Sequence, residues 1–289
     1  MAAPKVNPQI KAQDKNVQWY QTELETVSPQ ARELLEKYSH IPPAEVIPHI
    51  LKIRDRAWSI FPYPCIGRFR FLDLSISLSP LYPTLLTRLL HSSHTLLDLG
   101  CCFAQDIRKL VHDGVPSTSL YGAELRPEFI ELGYELFKDK ETLQSTFLVG
   151  DLFTGEHFRI LEERGGVDVV YAASIFHLFD WGQQVEVAER VVGLLKKRRG
   201  SVVLGRQRGN RTPMEYEHRT NQGGTMFRHN EESWREMWRV VGKKTGTQWD
   251  VHVKLTHDDA AGRYNAETNG FGVQPTRGDG SLYFEVTRL

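Results

Sequence analysis

Three acidic residues stand at the ends of three short apolar runs. Asp98 belongs to Leu96-Leu97-Asp98-Leu99 and precedes Gly100. Glu124 closes Leu120-Tyr121-Gly122-Ala123-Glu124. Asp151 follows Phe147-Leu148-Val149-Gly150 and is followed by Leu152. Ligands of open parallel sheets collect at the carboxyl ends of the strands. Gly100 lets the backbone turn tightly and come close to such a ligand. Glu124 lies 26 residues after Asp98, close to the spacing at which a carboxylate accepts both hydroxyls of a ribose. Asp151 is placed to accept a hydrogen bond from an adenine amino group. Each acid alone reads as a helix N-cap or a solvated loop end. Three in succession, at this spacing, read together as an adenosyl site.

The loop after Gly100 runs Cys101-Cys102-Phe103-Ala104. It is small, yet Cys102 and Ala104 stand where a nicotinamide-binding loop would have its later glycines. S-adenosylmethionine (SAM) fits the acids better, because its methionine end carries an ammonium group that calls for an anionic neighbour such as Asp98. Two arginines, Arg206 and Arg208, flank Gln207 just after a later apolar run. Arginines at a strand end are commonly solvated or paired with nearby acids. The alternative is a fork for an anionic substrate, since guanidinium binds carboxylate in bidentate fashion.

These residues need a scaffold. Apolar runs at 95–99, 119–124, 146–150, 167–173 and 201–205 alternate with helical patterns at 105–113, 127–137 and 183–197. That alternation predicts βαβ units, a Rossmann-like α/β fold with helices on both faces of a mostly parallel sheet. Residues 247–255 and 281–289 alternate like strands and predict a closing hairpin across a long loop. Ser28-Pro29 predicts a helix start running to about Tyr38, and a second helix is expected over 44–59. The division expected is a helical extension or lid at 1–94, its first 16 residues polar and draped on the surface, and a cofactor-binding domain at 95–289. An insertion at about 208–233 is too long for an ordinary connection. Trp58, Phe61 and Tyr63 ahead of the core, and Met214, Tyr216, Met226 and Phe227 in the insertion, are candidates for an apolar pocket wall, with plain core packing favoured for Trp58 and Phe61.

Composition narrows the class. In 289 residues, 36 basic side chains balance 36 acidic ones, so no strongly basic face for nucleic acid is indicated. The three cysteines, Cys65, Cys101 and Cys102, have no zinc-type spacing, and neither a metal site nor a disulfide framework is expected. With no apolar leader and no stretch long enough for a membrane span, a cytoplasmic protein with no membrane partner is the expectation.

The run from Leu96 to Gly205 resembles the core of the class I SAM-dependent methyltransferases. Pro62-Tyr63-Pro64-Cys65-Ile66-Gly67, Phe69-Arg70-Phe71-Leu72-Asp73-Leu74 and Ser174-Ile175-Phe176-His177-Leu178-Phe179-Asp180-Trp181 resemble, more narrowly, fungal natural-product methyltransferases of meroterpenoid pathways. The resemblance implies seven strands, the last antiparallel. It places Asp98, Gly100 and Ser174 at the methionine part of SAM, Glu124 at the ribose, and Asp151 with Leu152 at the adenine. It also implies a homodimer. His177 falls where such enzymes keep residues near the transferred methyl. It can be a general base or hydrogen-bonding group, or a ring packed between Phe176 and Phe179.

The function expected is O-methylation of an apolar small molecule, first of all a carboxylate on a terpenoid or polyketide-type scaffold, a choice that rests on the resemblance. A carboxylate is already a nucleophile, which suits a chain without an obvious catalytic dyad. The alternatives are methylation of a phenol, hydroxyl or carbon with His177 as base, and a catalytically idle SAM-binding module.

Overall fold

Runs of Leu, Val and Ala with no polar face are stable as strands only when a sheet is covered on both sides. Five such runs build the parallel part of a sheet in the computed structural model, which describes residues 14–17, 19–217, 224–256 and 279–289. They are β1 (Leu96–Leu99), β2 (Leu120–Glu124), β3 (Thr146–Val149), β4 (Val169–Ala173) and β5 (Val202–Asn210). After a separate hairpin of β6 (Met214–Glu217) and β7 (Thr225–Arg228), the sheet is completed by β8 (Trp249–Thr256) and β9 (Asp279–Arg288). The order is β3-β2-β1-β4-β5-β9-β8. Here β9 runs antiparallel to both of its neighbours. This is the Rossmann-like, mostly parallel seven-stranded sheet that the alternation and the resemblance called for.

The helices are α1 (Pro29–Glu33), α2 (Val46–Ile60), α3 (Pro64–Gly67), α4 (Tyr82–His91), α5 (Gln105–His112), α6 (Pro127–Phe137), α7 (Arg159–Glu163), α8 (Trp181–Leu194) and α9 (Glu231–Thr245). Ser28 caps α1, its hydroxyl accepting from the Ala31 amide, and a π-helical turn, Leu34–Tyr38, carries the helix to its expected end. One face of the sheet packs against α7, α8 and α9 through Leu161, Val187, Val191, Trp234, Met237 and Trp238. The other packs against α4 and α5 through Leu85, Leu89, Ile107 and Leu110. The N-terminal helices make a third apolar cluster. Ile50, Trp58 and Phe61 there meet Phe129, Leu132 and Phe137 of α6 and Phe103 of the loop after β1. Buried Arg108 makes two bonds to Asp139 at 2.9 Å each, and the Tyr38 hydroxyl donates to the same acid at 2.8 Å, which fastens the N-terminal segment to the core.

Three expectations change. The strand expected at 201–205 continues to Asn210, because β9 pairs with it as far as Asn210↔Asp279. The expected insertion therefore begins inside the sheet, and its body is the β6–β7 hairpin; residues 218–223 lie outside the described residues. Its end is the first turn of α9, a helix the sequence reading did not contain, opened by a capping box of Asn230 and Ser233. The expected drape at 1–16 lies largely outside the described residues, as does the connection 257–278 between the closing strands. Among the described residues no helix is long and apolar enough to cross a membrane.

Candidate active site

The loop leaving β1 sets the floor of the site. Gly100, Cys102 and Ala104 all take left-handed backbone conformations, with φ of 75°, 54° and 51°. For Cys102 and Ala104 this costs about 1–2 kcal/mol each. The loop is held in that shape by β2. The amides of Gly100 and Cys101 donate to the Ala123 carbonyl at 2.9 and 3.0 Å, and the Cys102 amide donates to Glu124 Oε2 at 2.9 Å. A glycine-like turn is thus kept without the later glycines. Ser174, after β4, is also left-handed (φ 59°), and its amide donates to the Arg206 carbonyl at 2.7 Å.

These strand ends open on one cavity of about 530 Å3. The residues expected to hold the cofactor or the acceptor all line it: Asp98, Gly100, Glu124, Asp151, Leu152, Ser174, His177, Arg206 and Arg208. Asp98 is 3% exposed, and its Oδ2 has no hydrogen-bond partner among the described residues. Burial first, then Asp106 and Glu124, push its carboxyl well above the usual carboxylate range. A buried carboxylate oxygen without a donor costs free energy unless a ligand satisfies it. The site therefore fits a cation such as the ammonium of SAM. Glu124 is also raised by burial, against the pull of the Cys102 and Arg126 amides. Asp151 Oδ1 accepts from the Phe153 amide at 2.9 Å.

The cavity wall also carries four arginines. Arg70, Arg206, Arg208 and Arg228 line it around His177. Arg206 lies 3.7 Å from Asp73, which also accepts from Arg70 Nε at 3.1 Å; Arg208 and Arg228 reach Asp279 at 3.2 and 2.7 Å. Both arginines named from the sequence are thus ion-paired and on the cavity wall at once. His177 is buried, and its Nδ1 accepts from the Arg208 amide at 3.4 Å. Burial, followed by Arg228, Arg208, Arg206 and Arg70, pushes its pKa well below 6.5. The ring is neutral, and with Nδ1 engaged as an acceptor the hydrogen-bond network assigns its proton to Nε2.

Among the candidate wall residues, Phe61, Tyr63 and Met226 line the cavity. Trp58 is core, Met214 is exposed, and the Arg228 guanidinium covers the Tyr216 ring at 4.0 Å. Phe227 packs on Trp181. The sequence reading missed Asp106, Arg70 and Arg228. Asp106, buried and pushed up to about 6, accepts from the Ile76 amide at 2.9 Å and so ties the N-terminal segment to the cavity floor. Its place in the first turn of α5, just past the β1 loop, was the available signal. Arg228 had none, because its partner Asp279 is 51 residues away. Among the described residues no group of three or more His, Cys, Asp or Glu side chains is placed to hold a metal ion.

Strand order and strand-end acids together define the methyltransferase class, and comparison with known proteins places the chain within it. A family model described as the meroterpenoid methyltransferase N-terminal domain matches residues 19–72. The O-methyltransferase phiE of a fungal species is 43% identical over 96% of this chain and 92% of its own length. O-methyltransferase atr3 of Stereocaulon alpinum is also 43% identical, over 99% of this chain and 80% of its own. The asnovolin E/chermesin D methyltransferase nvfJ of Aspergillus novofumigatus is 40% identical, over 83% and 88%. A solved structure of magnesium protoporphyrin IX methyltransferase from Synechocystis, with bound S-adenosylhomocysteine, has a TM-score of 0.47 at 12% identity, covering 77% of this chain and 87% of that one. The chain belongs to the family of fungal secondary-metabolism O-methyltransferases.

Proposed function

We propose that the enzyme methylates a carboxylate oxygen of an apolar terpenoid or polyketide-type small molecule, releasing a methyl ester and S-adenosylhomocysteine. The observation that carries this reading is the group of arginines on the cavity wall. Arg70, Arg206, Arg208 and Arg228 lie around His177, and the same cavity is lined by the buried acids Asp98 and Glu124. A cationic cofactor and an anionic acceptor thus each find groups of opposite charge in one cavity.

When bound, SAM supplies an electrophilic methyl on a positively charged sulfur. Asp98, with Gly100 and Ser174, holds its methionine part; Glu124 holds the ribose hydroxyls; Asp151 and Leu152 hold the adenine. Phe61, Tyr63 and Phe71, from the described part of the N-terminal segment, line the same cavity. Arg206 and Arg208 hold the acceptor's carboxylate while keeping their own acids, and His177 donates Nε2–H to an acceptor oxygen. A carboxylate brings its own lone pair, so the protein's work is to orient it, strip its water and keep solvent out. A histidine whose pKa is pushed well below 6.5 by burial and by four arginines is a poor proton acceptor at neutral pH, which weighs against the phenol and hydroxyl alternative. For the homodimer implied by the resemblance, light scattering would give twice 33.2 kDa.

The test is incubation of enzyme and SAM with an extract from a producing pathway that lacks this enzyme. The reading expects one acidic metabolite to disappear as its methyl ester forms. Methylation of a metabolite without a carboxyl group, with the acids untouched, contradicts it.

A further inference from the structure

Three buried donors converge on Asp279, the first residue of β9. Its Oδ1 accepts from Asn210 Nδ2 at 2.8 Å and from Arg228 Nη1 at 2.7 Å, and its Oδ2 accepts from Arg208 Nη2 at 3.2 Å. The four side chains come from three strands. Asn210 and Arg208 stand on β5, Arg228 on β7 of the hairpin, and Asp279 faces Asn210 in the last pair of the β5–β9 ladder. All four residues are buried, Asp279 at 7% exposure and Asn210 at 2%. The Arg228 guanidinium that bonds Asp279 also covers the Tyr216 ring of β6, so one carboxylate reaches both strands of the hairpin. Arg208 is the residue whose amide holds His177.

We propose that Asp279 is a positioning residue for the acceptor end of the site. It fixes Arg208 and Arg228 against one another and seats the β6–β7 hairpin over the cavity. The proposal rests on the reading of the arginine-lined end as the acceptor's. Two guanidiniums brought together out of water repel unless an acid lies between them. Without the Asp279 carboxylate they separate, Arg228 takes the hairpin with it, and Arg208 no longer presents a fixed fork. Asp279 is not itself on the cavity wall, whereas Arg208, Arg228 and His177 are, so its effect passes through the two arginines.

The experiment is Asp279→Asn, assayed on whichever acceptor the wild type turns over best, with SAM affinity measured separately by calorimetry. The acceptor KM should rise about 10- to 100-fold, the scale for a displaced orienting group. SAM affinity should stay within about twofold, and kcat should fall less than KM rises. In a cycle with Arg228→Gln, the double variant should cost much less than the product of the two single effects, because both changes cut the same link. A folded Asp279→Asn enzyme with unchanged acceptor KM, or with effects that multiply independently of Arg228→Gln, overturns the proposal. If Asp279→Asn does not fold, Asn210→Ala and Arg228→Lys each alter one partner of the acid and leave the acid in place. Unchanged acceptor KM in both overturns the proposal as well. Should the best acceptor be a phenol, the ester reading falls, while the KM comparison on that phenol still decides the role of Asp279.

Discussion

The backbone amide of Arg208 donates to Nδ1 of His177 at 3.4 Å. With Nδ1 occupied, the ring offers Nε2–H to its surroundings and has no free lone pair for an acceptor's proton. Burial, followed by the surrounding arginines, reinforces this by holding the pKa well below 6.5. His177→Gln, which can place an amide donor near the Nε2 position, should therefore retain single-turnover activity within about tenfold, while His177→Ala should lose more. Loss of a general base would instead cost about 10²–10⁴-fold in both variants. The wild-type rate should also be flat between pH 6 and 8, where a histidine base would give a rising limb.

Glu124 accepts from the amides of Cys102 and Arg126, and the proposed reading adds the cofactor's ribose. Glu124→Ala should weaken SAM binding by about 1–3 kcal/mol, the cost of losing hydrogen bonds to a charged acceptor. Asp151→Ala should cost less, because an adenine amino group is a neutral donor and the backbone at Leu152 remains. Calorimetry with S-adenosylhomocysteine measures both. Unchanged affinity in a folded Glu124→Ala protein would remove the ribose assignment.

Gly100 combines a left-handed φ of 75° with a crowded flank, since an added Cβ would lie 3.0 Å from Ile175 Cδ1. Gly100→Ala should destabilise the fold by about 1–2 kcal/mol and weaken cofactor binding through the displaced loop. Denaturant unfolding with and without SAM separates the two effects. Full stability in the variant would mean the β1 loop tolerates a β-carbon and is not held as described.

His229 should make the fold acid-sensitive. Its Nε2 faces Gln184 Oε1 at 3.1 Å, while the Gln184 amide nitrogen donates to the carbonyls of Phe179 and Phe227. Burial pushes its pKa down to about 3. The unfolded chain takes up this proton below about pH 6.5 and the folded one does not, so stability is lost as pH falls from there. The contribution is about 1.4 kcal/mol per pH unit, or about 2 kcal/mol at pH 5. Buried His177 acts in the same direction. His229→Gln should flatten the unfolding free energy between pH 7 and pH 5 by about that amount; identical slopes for the two proteins would contradict it.

Sequence showed the cofactor end more clearly than the acceptor end, for a physical reason. Asp98 and Glu124 sit at the ends of strands buried on both faces, Asp151 follows the partly buried edge strand β3, and all three strands are visible as apolar runs. The β1 loop could be placed even though Cys102 and Ala104 replace glycines, because the bonds to Ala123 and Glu124 depend on backbone position. The acceptor end is built from long-range pairs. Arg228 and Arg208 meet on Asp279 only after β9 returns alongside β5, and no local spacing records that. Most of the helix α9 lies between the end of the expected insertion at 233 and the strand expected from 247, a stretch for which the sequence reading held no element. Only the capping pair Asn230 and Ser233 marks its start locally. Asp73, which pairs with Arg206, comes from the N-terminal segment and is more distant still in sequence.

The most direct test of the central claim compares a carboxylic acid acceptor with its decarboxylated phenolic or hydroxyl counterpart, using SAM labelled in the methyl group. The arginines on the cavity wall predict label transfer to the acid, with the label released as methanol by mild alkali, as an ester requires. It also predicts that Arg206→Met and Arg208→Met raise the KM for the acid. Alkali-stable label on the phenol or hydroxyl compound, with none on the acid, would contradict the account.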